Sequence, residues 1–278
     1  MQLLFAEARK HRAFREAWIG YIIAGIYLLL ILSSSYEDFA YPLYDFQQRW
    51  FSVQQNIRIF EANLTAFLIA IGLPRLICCE ADYRTDVLIQ TSERGAFDTW
   101  RSKVIYTILY CAAVVFIPGT ITLLVSCSAF GFEGALLPVT SCVYFIDGAL
   151  PPMSNLAYCA LQYVFLFLSA LYFAGFVLLI AVLTRKTALT LFISGGVYLS
   201  FMVYTYILIG RLNVFDYVFE FLYRFSFSGF LLQDSFSWAR FGFIGIWSDV
   251  WKPITFVFFM IALEFSCLWL LWRRRSKK

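Results

Sequence analysis

Apolar residues in this chain come in long unbroken runs, and the polar residues gather between them. The runs fall at about residues 17–35, 62–79, 104–128, 155–183, 188–210 and 253–272. Each is close to the ~20 residues that cross a bilayer as an α-helix. None alternates apolar and polar positions over ~10 residues, as a barrel strand would. The pattern predicts one all-α integral membrane domain over residues 1–278, with six transmembrane helices. Pro74 and the Pro118-Gly119 step predict bends in the second and third spans. Gly195-Gly196 in the fifth predicts either close helix contact or a bend.

The intervening segments differ in character. Residues 1–16 mix Leu3, Leu4, Phe5 and Phe14 with Arg9, Lys10, Arg12 and Arg15, the pattern of an interfacial helix lying along the inner leaflet. Residues 36–60 read as an outer loop and 129–153 as a Gly- and Pro-rich outer connection. Residues 184–187 are a very short inner turn. Residues 211–252 form the longest outer segment. There Phe215, Val218, Phe219 and Leu222 recur at helical spacing, which predicts amphipathic half-helices dipping into the outer leaflet.

Composition agrees with this reading. The chain is 61% hydrophobic and 14% charged, against about 25% charged in a soluble domain. Of its 22 Lys and Arg, 16 lie in residues 1–16, 75–103, 184–187 and 273–278. The positive-inside bias then places both termini in the cytoplasm. A bacterial cytoplasmic (inner) membrane is the expected location.

Several kinds of chemistry are disfavoured. The one His, His11, sits in the basic N-terminal segment, which argues against His-based metal sites, His-dependent triads and an intramembrane enzyme such as a protease or acyltransferase. No Gly-Lys dipeptide occurs, so the chain lacks the phosphate-cradling loop of the common ATPases. No catalytic residue, metal site or bound cofactor is expected, and no nucleic-acid contact. Cys78, Cys79, Cys111, Cys127, Cys159 and Cys267 lie in or at the end of apolar runs and read as small packing residues. Asn63-Leu64-Thr65 matches a glycosylation sequon but lies too close to the bilayer to be a good acceptor.

Two features stand out against this background. The first is residues 80–103, EADYRTDVLIQTSERGAFDTWRSK, where acidic and basic residues surround the apolar group Val87, Leu88 and Ile89. A polar helix with an apolar knob suits docking into a groove on a soluble partner, with flanking charges fixing its register. The second is Glu264, midway along the sixth run. A charge at the centre of a membrane helix costs about 2.5–3.5 kcal/mol on insertion scales. Glu264 is therefore expected to line a translocation path or sense protonation, or else to hydrogen-bond a Ser, Thr or Tyr such as those of residues 190–206.

The order Glu80, Thr85, Leu88, Ser92, Arg94 and Lys103 at the inner ends of spans two and three resembles the permease subunits of ABC transporters of the type-2 exporter superfamily. The chain has Arg84 where that family usually has Gly, and it has no Pro in residues 91–95. The resemblance extends over nearly the whole chain: N-terminal amphipathic helix, six spans, coupling helix, short inner turn and outer half-helices. It implies a half-transporter that pairs with a second copy or a related permease subunit. Two separate ABC ATPase subunits would bind beneath, carrying the ATP and Mg. Glu80, Arg84, Thr85, Val87, Leu88, Ile89, Ser92, Arg94 and Lys103 would couple to them. The implied substrate is a hydrophobic or amphipathic peptide, a lipid-like compound or a drug, with polysaccharide export as the rival within the class. An ATP-independent channel or secondary carrier is the alternative. It calls for ionisable residues in several spans, and the runs show only Glu264 clearly at a centre.

Overall fold

The computed structural model describes residues 2–12, 14–40, 46–83, 95–139, 153–203, 218, 222–223, 225–231 and 251–275. These are helical almost throughout, and the one β feature among them is an isolated bridge between Pro138 and Ser154. The elements are α1 (Gln2–Arg12), α2 (Arg15–Ala40), α3 (Phe46–Asn56), a π-helical turn (Ile57–Glu61), α4 (Ala62–Gly72), α5 (Pro74–Asp82), α6 (Gly95–Phe130), α7 (Asn155–Thr184), α8 (Thr187–Val203), α9 (Phe227–Leu231) and α10 (Trp251–Arg275).

Four helical stretches are long and apolar enough to cross a membrane: Phe46–Glu80, Phe97–Ser128, Asn155–Thr184 and Ile254–Arg274. A fifth is reached if α1 and α2, which meet at a 71° bend, form one broken span. α8 is apolar but shorter; residues 204–210 of the expected fifth span lie outside the described residues. The chain is a multi-pass helical membrane protein with four to five such helices among the described residues.

α7 is the central helix, with α4, α5, α6, α8, α9 and α10 all packed against it. Its sequence explains why. Ala170, Ala174, Gly175 and Ala181 keep it thin enough for close neighbours, while Leu166, Phe173, Val177 and Leu178 fill the space between. Ser154 caps its start by accepting from the Ala157 amide. Arg185, in the left-handed region at φ 55°, ends it, and two residues later α8 begins. The short inner turn expected at 184–187 is thus a tight link between antiparallel helices.

Two local expectations take a different form. Residues 46–56, expected in an outer loop, are helical and run on through the π turn into α4. Their amides and Arg49 lower the hydropathy, but Trp50, Val53 and Ile57 are completely buried, in a cluster with Cys127, Ala135 and Cys159. For Gly195 and Gly196, the first of the two alternatives is not met among the described residues: a Cβ at either would meet nothing within 4 Å. Pro118 lies inside the continuous helix α6.

Trp50 anchors this end of the bundle, its Nε1–H donating to the Glu133 carbonyl at 2.8 Å. Replacing it with Ala should cost about 3–5 kcal/mol, as large aromatic deletions from cores do. Trp50→Phe, which mainly loses the hydrogen bond, should cost only about 0.5–1.5 kcal/mol. Thermal unfolding of the detergent-solubilised protein checks the difference; equal and small losses would show that the helix is not packed there.

Candidate functional site: a buried ion cluster at the helix ends

Four charged side chains meet where α1, α5 and α6 come together. Lys103 on α6 places its Nζ 2.7 Å from Glu80 Oε1 and 3.4 Å from Glu7 Oε2. Lys10 lies 3.1 Å from Glu7 Oε1 and 3.3 Å from Glu80 Oε1. Glu7, Glu80 and Lys103 are 2%, 2% and 1% exposed, so their charges are removed from solvent. Two carboxylates and two ammonium groups balance, and that makes the burial tolerable. Lys103 also donates to the Leu76 carbonyl at 2.6 Å. Leu76 stands four residues before Glu80 on α5, so its carbonyl gives the lysine a third contact.

The local sequence produces the cluster in a simple way. Glu7 and Lys10 stand three residues apart on α1, hence on one face. Glu80 is in the last turn of α5, and Lys103 is two turns into α6, above its first buried residues. Aromatic rings close the remaining side. The Lys103 ammonium lies 5.9 Å from the Trp272 ring centre on α10. Trp100 packs against Phe265, Trp269 and Trp272. The Arg75 guanidinium sits 4.6 Å over the Phe14 ring, joining α5 to the link between α1 and α2.

Of the residues singled out for coupling, Glu80 and Lys103 are thus brought into direct contact. Arg84, Thr85, Val87, Leu88, Ile89, Ser92 and Arg94 lie outside the described residues. Glu7 and Lys10 escaped sequence reasoning, although their three-residue spacing on an otherwise basic helix was a usable signal. α1 itself packs on α2, α5 and α6, with Glu7 and His11 buried and Leu3 and Phe5 exposed.

Glu264 lies on α10 and is buried at 8% exposure. It faces α7, where the absence of a side chain at Gly175 makes room: a Cβ there would run into Glu264 Oε2. That oxygen has no hydrogen-bond partner among the described residues. A separate cavity of about 640 Å³ lies between α2, α4 and α8, lined by apolar side chains including Phe67, Phe173 and Phe192. Its polar feature is Asn63, whose Oδ1 accepts from Tyr198 at 2.7 Å. Cys78, Cys79, Cys111, Cys127 and Cys159 are buried thiols and Cys267 an exposed one, and none forms a disulfide among the described residues. No group of His, Cys, Asp and Glu suited to a metal occurs among the described residues.

No family model, curated protein or solved structure matches the chain.

Two substitutions test the geometry. Lys103→Met leaves Glu7 and Glu80 buried with Lys10 alone, and should destabilise by about 3–5 kcal/mol, the usual penalty for stripping one partner from a buried pair. Adding Glu80→Gln should restore a large part of that loss in thermal unfolding; a simply additive double variant would show that the two charges do not interact. Gly175→Ala should cost about 1–3 kcal/mol through overpacking, and Glu264→Ala in the same chain should relieve it. An unrelieved loss would place Glu264 elsewhere.

Proposed function

We propose that the chain is the membrane-spanning permease subunit of an ATP-driven ABC exporter in a bacterial inner membrane. In this reading it has six spans with both termini cytoplasmic, and it pairs with a second copy or a related subunit. Residues 80–103 receive the stroke of separate ATPase subunits. The observation that carries the reading is the buried Glu80–Lys103 contact at 2.7 Å. Glu80 ends the helix that enters this segment, and Lys103 lies near the start of the helix that leaves it. A force applied between them acts on both helices together, because separating the charges inside the bundle is costly. The Trp100–Trp272 stack extends the same rigid unit to α10. Such a unit suits rigid-body transmission from a docked partner.

The apolar cavity between α2, α4 and α8 supports a hydrophobic or amphipathic cargo, a peptide, lipid-like compound or drug, over a polysaccharide. Sugars need many hydrogen-bonding groups, and the described lining offers chiefly aliphatic and aromatic carbon. ATP and Mg would be held by the partner.

One observation favours a second reading, an ATP-independent carrier. Glu61, at the end of the π turn, is 3% exposed. With Glu264 it gives two buried carboxylates on different membrane helices, where the apolar runs alone displayed one.

Co-purification in mild detergent separates the two. The tagged chain should bring down an ATPase, and the variant with Val87, Leu88 and Ile89 changed to Ser should lose it while staying folded. Absence of any ATPase from the folded wild-type preparation would sink the exporter reading and leave the carrier.

A further inference from the structure

A polar seam runs through the bundle end opposite Glu80, between α3, α6 and α7. It begins at Gln47, whose Oε1 accepts from Asn155 Nδ2 at 3.0 Å. Asn155 Oδ1 in turn accepts from Gln54 Nε2 at 3.2 Å, and the Gln54 backbone carbonyl accepts from Gln162 Nε2 at 3.2 Å. The seam ends at Glu61, placed there by the π turn. An extra residue in a helical turn re-aims a side chain, and such turns cluster at functional sites. Gln47 to Glu61 covers about 21 Å at 1.5 Å per residue. Gln54 is 2% exposed and Glu61 3%, yet Gln54 Oε1 and Glu61 Oε2 have no hydrogen-bond partner among the described residues. Two buried acceptors without donors call for water or another proton donor beside them.

Counting protons around Glu61 shows how its carboxyl is held. Tyr163 Oη lies 3.3 Å from Glu61 Oε1 but 2.9 Å from the Gly119 carbonyl. A phenol has one proton to give, and the shorter contact takes it. Thr122, whose hydroxyl stands beside the Glu61 carboxyl, directs its single proton to the Pro118 carbonyl at 3.1 Å. With its proton on the Gly119 carbonyl, the Tyr163 oxygen is free to accept from Glu61, and a proton shared between the two would then belong to the carboxyl. Both hydroxyls also have a second choice. If each turned from its helix carbonyl to the carboxyl, an ionised Glu61 would gain two donors. Gly119 is part of the design: a Cβ there would overlap the Tyr163 ring, so the phenol reaches this position only over glycine.

We propose that Glu61 is a reversible proton-binding site, loaded from the bundle end that carries Gln47 and Asn155, with its proton held between the carboxyl and the Tyr163 phenol. Loading transfers one proton from hydronium to a carboxylate oxygen and leaves water. One O–H bond forms and one breaks, and the Tyr163 and Thr122 hydroxyls turn back to the Gly119 and Pro118 carbonyls. The surroundings leave this carboxyl without a fixed counter-charge among the described residues. α6 presents Thr122 and the Cys127 thiol, and α7 presents Tyr163 and the Cys159 thiol. α4 carries no charged residue. On the same helix, Arg58 lies beside Tyr158, and Arg49 of α3 stands over the Phe46 ring at 5.7 Å. The site stands whether or not an ATPase docks on residues 80–103.

Infrared difference spectroscopy of the full chain in proteoliposomes of uniform orientation tests this, with bulk pH as the probe. A protonated-carboxyl band should appear reversibly on acidification of the compartment facing residues 46–56, and Glu61→Gln should abolish it. Glu264→Gln should leave that band in place. Tyr163→Phe, which removes the acceptor of the acid proton, should shift the band to the frequency of a free acid, and this holds even if Glu61→Gln proves hard to fold. The proposal is overturned if no carboxyl band depends on Glu61 at any pH, if Tyr163→Phe leaves the band unmoved, or if only the opposite compartment loads it.

Discussion

Charge that enters an apolar bundle has to be neutralised inside it, and the Glu80–Lys103 pair is where this constraint binds the helices together. Neither residue stands alone. Lys103 reaches Glu80, Glu7 and the Leu76 carbonyl at once, and Lys10 supplies the second positive charge the two carboxylates need. The cost of desolvating each ion is several kcal/mol, and attraction at short range offsets it only when the geometry is good and the other lone pairs and protons are satisfied. While Glu80 Oε2 has no hydrogen-bond partner among the described residues, the contacts of Lys103 and Lys10 with Glu7 and Glu80 fix α1 against α5 and α6. Otherwise a helix of eleven residues with four basic groups in its last turn would gain most from lying on a membrane surface. The aromatic wall of Trp100, Trp269 and Trp272 screens the cluster and brings in α10 through contacts that carry no charge.

Sequence alone showed the helical membrane class because long uncharged runs have few other stable outcomes. The tight α7–α8 link was equally legible, since Arg185 and Lys186 are the only charges between two apolar stretches. Glu80 and Lys103 were legible as the charges where apolar runs stop and start. Glu7 and Lys10 were hidden by the basic character of their segment: a scan for net charge treats one acid among several bases as noise, whereas packing selects it. Residues 46–60 were misleading for a related reason. Hydropathy counts Gln47, Gln54 and Asn56 as solvent-seeking, but amides can satisfy one another, as Gln47, Asn155 and Gln54 do here. Glu61 falls between the expected loop and the expected second span, and in the structure it lies in the middle of a 35-residue helical stretch.

The two buried carboxylates outside the ion cluster are accommodated differently, and the difference is chemical. Glu264 occupies a space opened by Gly175 in an otherwise apolar contact, with no described donor for its Oε2. Glu61 lies among hydroxyls and amides. The first environment offers Oε2 no donor among the described residues. The second contains groups able to turn toward either state. Position in a membrane helix does not by itself make an acid functional; the supply of rotatable donors around it decides.

α6 joins the two polar regions mechanically. It is a continuous helix of 36 residues, with Lys103 near one end and Pro118, Gly119 and Thr122 farther along. Lys103 and Thr122 are separated by about 28 Å at 1.5 Å per residue. Lys103 is held by Glu7 and Glu80, while the carbonyls of Pro118 and Gly119 hold the hydroxyls that answer to Glu61. A helix pinned at both places cannot tilt at one without disturbing hydrogen bonds at the other. A partner pushing on the helix ends near Lys103 would therefore alter the donors around Glu61. By the reciprocity of linked equilibria, the protonation state of Glu61 would bias the position of those helix ends. The coupling requires only that α6 stay rigid, and its buried contacts with α7 along Cys111, Val114 and Val115 provide that rigidity between the two sites.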